Sequence, residues 1–417
     1  MERSTAGAAL AALAIALTVL LTGCMDASLS QSGNAPASIS VQDAPSAIPE
    51  IDLSITGGGT NISETIGPGT DALVFELPVG EEHEVSIDAT NFIGRRSFIL
   101  PPGGAQVDVQ MLEKLFVPDE LNERVVQLDD VSGSNWTEDI AVGGSFGRPT
   151  DVELGPNGRI YVAASGDGVS ALILDSIDDT APTTFDNVGL GGIQAVGIDG
   201  QNGFLYTGGT GPFLERRDLS GGNATDLSGF VSEEFFDGDG IWGLAVDEEG
   251  YVYASGLNNG DPGYPTVVKL DPASGEVSWR WPRPEDVFVP FAEVDSFLDL
   301  RPGAEQIDVL YNDGRLFVAN PGGKDGYFIV QLDPGTGEIV DHFGSYADDP
   351  TNPGVGEFGG PRRFIATGNR RITVADKDFF DAAFNVETRL VSFTSMNGDG
   401  WETYGTTGSG VGQFDLF

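Results

Sequence analysis

The sequence predicts an all-β protein. Short apolar strands alternate with turns rich in glycine and proline, and 59 Gly and 24 Pro are spread along the chain rather than gathered in one tract. No long amphipathic helix interrupts them. A second observation narrows the class. Six segments share the form turn residue, apolar, aromatic or apolar, apolar, small: Lys114–Asp119, Gly158–Ala163, Gly203–Gly208, Gly250–Ser255, Gly314–Ala319 and Arg370–Asp376. They recur at intervals of roughly 45 to 65 residues, the spacing of propeller blades.

Each element of a blade has its own signal. Before most of these segments lies a shorter apolar strand: 150–154, 195–199, 243–247, 306–310 and 363–366. After them comes a third strand, often closed by Asp, as at 124–129, 171–175, 267–271 and 329–333. The turns Asp271-Pro272-Ala273-Ser274-Gly275 and Asp333-Pro334-Gly335-Thr336-Gly337 then lead to a fourth, outer strand. One four-stranded unit cannot bury both of its faces. Six stacked in a ring bury them against one another and protect most edges. The expectation is a six-bladed β-propeller over 114–417.

These residues resemble the NHL-repeat family. The approach to a blade is matched by Phe146-Gly147-Arg148-Pro149, by Gly356-Glu357-Phe358-Gly359-Gly360-Pro361 and by Gly410-Val411-Gly412-Gln413-Phe414. Val117-Pro118-Asp119 followed by Asn122-Glu123-Arg124 matches the strand end and the Asn-x-Arg before the third strand. The resemblance covers about 300 residues and implies the fold. The middle blades depart from it, since Gly208-Gly209-Thr210 and Ser255-Gly256-Leu257 lack the Asp and the Asn-x-Arg. Ring closure is left open at this stage, with Val107–Met111 as one candidate for an innermost strand of the first blade.

Ahead of the propeller, 49–113 reads as a small β-sandwich-like domain, from the runs 51–55, 72–77, 83–87 and 105–111 separated by Gly- and Pro-containing turns. Residues 24–48 are rich in Ser, Ala, Gln, Asn and Pro and read as a flexible tether. Residues 1–23 have the layout of a secretory signal: Arg3, an apolar run from Ala6 to Leu21, then small residues. The run is short for a spanning helix. The sole cysteine, Cys24, follows in Leu21-Thr22-Gly23-Cys24. This is similar to a prokaryotic lipoprotein signal. The resemblance implies cleavage before Cys24, lipid on its sulfur, and a protein exported and anchored to the membrane or envelope surface.

The chain carries 64 Asp and Glu against 21 Lys and Arg, a formal charge of -43. A dispersed negative surface repels phosphates and argues against nucleic acid as a partner. It suits high salt, where self-repulsion is screened, and hence a halophilic or marine setting. One cysteine permits no intramolecular disulfide, so packing must hold the fold.

Chemistry is sparsely signalled. His83 and His342 are far apart in sequence, are expected on the surface, and cannot supply the three or four ligands of a zinc site. No nucleophile elbow and no phosphate-binding loop of the Walker type occur. Oxygen-rich turns make Asp237, Asp239, Asn258 and Asp261 candidate Ca²⁺ ligands; the same residue types also build turns unaided. Trp279, Arg280, Trp281 and Arg283, with Phe288 and Phe291 in the excursion that follows, are candidates for a partner-binding patch or for packing between blades. The sequence therefore points to a lipid-anchored binding or scaffold protein for an unidentified protein, glycan or envelope partner, without cofactor. The alternative is a calcium-dependent hydrolase of the lactonase or esterase type, by analogy of fold alone.

Overall fold

The computed structural model describes residues 33–42, 50–67, 72–139, 147–166, 169–179, 181–186, 192–211, 213–219, 224–231, 236, 240–257, 265–282, 307–319, 329–346, 353–365, 371–380 and 386–416. These are almost entirely β, with one short 3-10 turn at Ser228–Phe230.

The N-terminal part consists of two sheets. In one, Asn34–Gln42 lies between Leu73–Pro78, antiparallel, and Ala105–Gln110, parallel. In the other the order is Thr60–Ile66, Ile51–Gly57, Glu82–Ala89, Phe92–Ile99, Leu112–Glu113, all antiparallel. Alternation with a period of two sends Ala35, Ala37, Ile39, Val107 and Val109 from the first sheet, and Ile51, Leu53, Ile55, Val85 and Ile87 from the second, into one core. Three expectations are corrected here. The stretch 24–48 contains a strand, Asn34–Gln42, whose Ala35 and Ala37 are buried. Its alternating residues include small Ala, too weakly apolar to stand out in sequence. Val107–Gln110 pairs with that strand and plays no part in the ring. His83 is fully buried, because it shares the inward face with Val85 and Ile87. Its Nε2 lies 2.9 Å from the Pro78 carbonyl, and its ring packs against Phe98.

The rest is a propeller-type stack of antiparallel meanders. Among the described residues the first has three strands, Leu115–Asp119, Arg124–Leu128 and Thr137–Asp139. The next five have four each. The second runs from Arg148–Leu154 to Thr183–Asp186, and the third from Ile193–Asp199 to Thr225–Asp226. The fourth runs from Ile241–Val246 to Val277–Trp281, and the fifth from Asp308–Asn312 to Ile339–Phe343. The sixth runs from Pro361–Ile365 to Glu402–Tyr404.

Apolar residues are buried between neighbouring sheets. Phe116 and Val125 of the first sheet pack on Val152 and Leu172 of the second. Tyr161 and Ile173 meet Val196 and Leu205, and Tyr206 and Leu214 meet Leu244 and Val268. Tyr253 and Val267 meet Leu316 and Val330, and Phe317 and Ile329 meet Phe364 and Val374. Ile365, Ala375 and Leu390 of the sixth sheet pack on Leu115, Val117 and Val126 of the first. The last interface joins the two ends of the stack, so the sheets close on themselves. A sheet buried on both faces needs apolar residues at consecutive positions, which is why these strands read as runs such as Ile-Tyr-Val-Ala rather than as alternation.

The closing sheet is clasped by charge as well. Arg124 donates from Nε to Asp119 at 2.8 Å, from Nη1 to the Ser409 carbonyl at 3.0 Å and from Nη2 to the Gln413 carbonyl at 2.9 Å. Asn122 Nδ2 reaches the Gly408 carbonyl at 2.7 Å, and Asp119 accepts the Asp415 amide at 2.7 Å. The Asp, Asn and Arg that carry the sequence resemblance thus hold the turn that seats Phe414 in the core. Asp376 and Arg389 repeat the arrangement in the sixth sheet. Asp376 accepts the Gly359 and Gly360 amides at 3.1 and 2.9 Å, and Arg389 donates to the Glu357 carbonyl at 2.6 Å.

Candidate functional site

The inner strands carry a buried charged set. Asp151, Asp308 and Arg363 occupy the same register, opposite Ala163, Ala319 and Ala375 of their second strands. Asp151 accepts its neighbour Val152 N and, in the next sheet, Val196 N, each at 2.9 Å. Asp308 accepts Val309 N at 2.8 Å and Phe364 N, again in the next sheet, at 2.7 Å. Each carboxylate therefore straps one inner strand to the following one. Arg363, 2% exposed, places Nη1 3.4 Å from Asp151 and donates to the Gln194 carbonyl at 3.2 Å. Burial pushes both acids up, Asp308 to about 7, against the pull of Arg363. These carboxylates are spent on backbone amides and a guanidinium.

Two cavities of about 510 Å³ lie elsewhere. One follows the seam where the ring closes, between Leu112, Leu115, Asp129, Val131, Arg371 and Glu402. Three of its charged groups, Arg371, Glu402 and Asp129, are paired within the protein. Arg371 donates to Ser392 Oγ at 2.9 Å, to the Gly400 carbonyl at 3.0 Å and to Glu402 at 2.7 Å. Asp129 receives Arg95 at 2.8 Å and Asn135 at 2.7 Å.

The other is an open groove between the third and fourth sheets, beside the turns that join their strands. Phe204, Tyr206 and Arg216 rise from the third sheet, and Tyr251 from the fourth. Arg216 stacks on Phe204, 4.6 Å from the ring centre, and hydrogen-bonds Tyr206. Burial pushes the Tyr206 hydroxyl up to about 12. Lys269 covers Tyr251 at 4.2 Å while bonding Asp247 at 3.0 Å. Glu249 is exposed at the groove, Asp271 half-buried, and Asp199 buried in its wall. Asp199 is tied down by the amides of Gln201 and Asn202 at 3.1 and 2.9 Å and by the Asn202 side chain at 2.8 Å. The Ser274 hydroxyl and the Ala273 amide hold the Asp271 carboxyl below the usual carboxylate range. The two walls approach closely at Gly250, whose φ is +88°; a Cβ there would come within 3.0 Å of Asn202 Nδ2 and 3.1 Å of Asp199 Oδ2. The positive φ favours glycine, and a Cβ would also press on the Asn202 and Asp199 side chains.

Trp279 and Trp281, named as partner-binding candidates, belong to the fourth strand of the fourth sheet and pack inward. Trp281 is 3% exposed in the core shared with the fifth sheet. Trp279 donates from its indole to the Pro334 carbonyl at 3.0 Å and leans on Tyr253. Stacked sheets need large rings to fill the widening space toward their outer strands, and these two fill it. Arg280 is half-buried in the same strand. Arg283, Phe288 and Phe291, the candidate Ca²⁺ ligands Asp237, Asp239, Asn258 and Asp261, and Cys24 all lie outside the described residues. Among the described residues no group of three or more His, Cys, Asp or Glu is placed to hold a metal ion. The groove went unseen in sequence because its residues come from four separate segments. Its one local signal was the aromatic that opens Phe204-Leu205-Tyr206 and Tyr251-Val252-Tyr253.

The chain matches no protein-family profile and no curated protein. Among solved structures it is similar to a chain of a nidogen/laminin complex, at 11% identity and a TM-score of 0.47, over 70% of this chain and 92% of that one. It is similar to a protein of unknown function from Bacteroides thetaiotaomicron VPI-5482, at 16% identity and a TM-score of 0.41, over 78% and 87%. It is also similar to the Myceliophteria thermophila Cps50 (Swd1) β-propeller domain, at 12% identity and a TM-score of 0.37, over 64% and 74%. At identities and scores this low, the fold rests on the sheets themselves.

Proposed function

We propose that this protein is an exported, lipid-anchored binding module of the cell envelope, built as an NHL-like six-bladed propeller. Cys24 carries the anchor, and the ring presents a rigid face to its partner. One observation carries the binding reading: Asp151 and Asp308 of the inner strands are consumed in strapping sheet to sheet, whereas the groove between the third and fourth sheets keeps Phe204 and Tyr251 half-buried and Asn202 and Glu249 exposed. A rigid scaffold with a prebuilt concave site binds without much ordering cost.

The anchor is tested by feeding a labelled fatty acid to cells expressing the full chain. Wild type is expected to take up label and partition with detergent, and Cys24→Ser to do neither. An unlabelled wild type overturns the anchor. The competing calcium-hydrolase reading is tested by thermal unfolding with Ca²⁺ against Mg²⁺ at fixed ionic strength. A saturating ligand at a hundred times its Kd adds about 2.7 kcal/mol. No calcium-specific shift is expected. Such a shift together with ester or lactone hydrolysis replaces the binding reading with the enzymatic one.

A further inference from the structure

We infer that one end of the N-terminal sandwich, the tip built from Gly33, the Pro78–Gly80 turn and the Leu100–Gly104 loop, seats on the surface of the membrane that holds Cys24, with the ring standing off the bilayer behind it. This rests on reading Cys24 as the lipid anchor and adds which surface meets the membrane.

Chain length comes first. Gly33 is already tied into the fold, since its carbonyl accepts the Val79 amide at 2.9 Å, and Asn34 opens the first strand. Cys24 lies nine positions before Gly33. Fully extended, that stretch reaches about 30 Å, at about 3.3–3.6 Å per residue. As a coil it averages about 17 Å. A lipid on Cys24 therefore keeps Gly33 close to the headgroups. The same end of the sandwich gathers both turns. The Gly80 amide donates to the Leu100 carbonyl at 2.9 Å, and a Cβ at Gly104 would stand 2.5 Å from the Pro36 carbonyl oxygen.

Topology points the same way. The strand Glu82–Ala89 runs from this tip to the turn at Thr90 and Asn91, about 24 Å away at about 3.4 Å per residue. There Asn91 donates to the Gly158 carbonyl of the second sheet. Lys114, where the chain passes into the ring, donates its amide to the Asn91 carbonyl at 3.0 Å. Tip and ring thus occupy opposite ends of the sandwich. The ring meets the sandwich at the Gly155–Gly158 turn, and the next turns lie on that side too. A Cβ at Gly200 would meet Pro156 at 3.2 Å, and one at Gly250 would meet Asn202 at 3.0 Å. The strand Arg148–Leu154 starts on the far side, at Arg148. Charge selects the tip for a lipid surface. Residues 27–42, 77–80 and 98–105 hold no charged side chain, in a chain of formal charge -43. Ile99 is 67% exposed there, and Pro101 and Pro102 are exposed beside it. Pressing an acidic face onto headgroups would strip water from its charges and, on anionic lipid, add repulsion. Glu81 and Glu82, which follow the 78–80 turn, are exposed, so the tip rests at the headgroups and does not enter the hydrocarbon.

The test places the full chain in vesicles of phosphatidylethanolamine and phosphatidylglycerol that carry a nitroxide on the headgroup, which quenches only dyes at the surface. Cys24 is the sole cysteine, and lipid blocks its sulfur, so an introduced cysteine alone takes the dye. Gly103→Cys marks the tip, where a Cβ would meet nothing within 4 Å. Glu249→Cys marks the near side of the ring and Arg148→Cys its far side, both at exposed positions. The dye at 103 is expected to be quenched at least twice as strongly as at 249 or 148. Quenching at either ring position that equals or exceeds that at 103 overturns the seating, and so does no quenching at any of the three. Ile99→Glu should halve the quenching at 103, or more, at an unchanged Tm. Val74→Glu, 65% exposed on the strand Leu73–Pro78 and away from the tip, should leave it intact. Equal effects of these two variants overturn the tip as the contact. A chain that does not float with the vesicles fails the anchor and the seating together; one that floats with 103 unquenched fails the seating alone.

Discussion

Asp308 shows how much one side chain decides in this ring. Its two oxygens hold two backbone amides in two sheets, and Gly243 of the fourth sheet leaves room for it. A Cβ at Gly243 would stand 2.1 Å from Asp308 Oδ1. Burial raises Asp308 to about 7, and burial likewise raises Asp376 to about 7. An unfolded Asp titrates near 3.9. Between about pH 4 and 7 the native state therefore binds more protons than the unfolded chain, and stability falls as pH rises through that window. Melting temperatures measured from pH 4 to 7 should decline for wild type. The decline should be shallower for Asp308→Asn, which cannot titrate. That variant should also start lower, by about 1–3 kcal/mol, because its amide NH₂ faces a backbone donor. A pH slope equal to that of wild type would mean that Asp308 does not carry the linkage. The position was visible in sequence as the Asp of Asp308-Val309-Leu310, but its partner Phe364 lies 56 residues away and no local rule connects them.

At the scale of elements, the Asp119–Asn122–Arg124 clasp fastens the 406–416 segment to the turn between the first two strands of the first sheet. Arg124→Met leaves Asp119, fully buried, without its cation. Breaking a buried pair from one side costs about 3–5 kcal/mol. We expect a lower melting temperature and faster amide exchange across 406–416 than in the second to fifth sheets. Equal exchange in variant and wild type would show that the apolar seat of Phe414 suffices. The clasp was legible as a motif, since the residues stand in one short stretch. Its target was not, because the bonded carbonyls carry no sequence signature. The strand Asn34–Gln42 was misread for a related reason. Ala and Ser at alternate positions look like linker composition until the facing sheet, with Leu53, Ile55 and Val85, gives the alanines a buried face.

At the scale of the molecule, a formal charge of -43 must be held together by packing between sheets. The two parts of the chain are joined through Asn91, 1% exposed, whose side chain donates to the Gly158 carbonyl at 2.6 Å, and through Arg95 and Asp129. Self-repulsion of a like-charged surface opposes compactness and is screened by salt, the Debye length falling from about 10 Å at 0.1 M to about 3 Å at 1 M. The melting temperature should therefore climb by several degrees between 0.1 and 1 M KCl. A flat or falling profile would show that the acids are already neutralised locally, as Asp151 is by Arg363, and would remove the argument for a high-salt setting.

The sequence by itself determined the all-β class, the recurrence of the strand units and their order, because these depend on short-range patterns: apolar runs, turn residues, and a repeat long enough to bury a sheet on both faces. Tertiary structure alone decided which residues meet. The strapping carboxylates, the clasp on the 406–416 segment, the inward turn of His83, Trp279 and Trp281, and the groove of Phe204, Arg216 and Tyr251 all arise between sheets, from residues separated by tens to hundreds of positions. In a ring of stacked sheets the neighbour of a side chain belongs to another repeat, so its contacts are set by how the sheets stack.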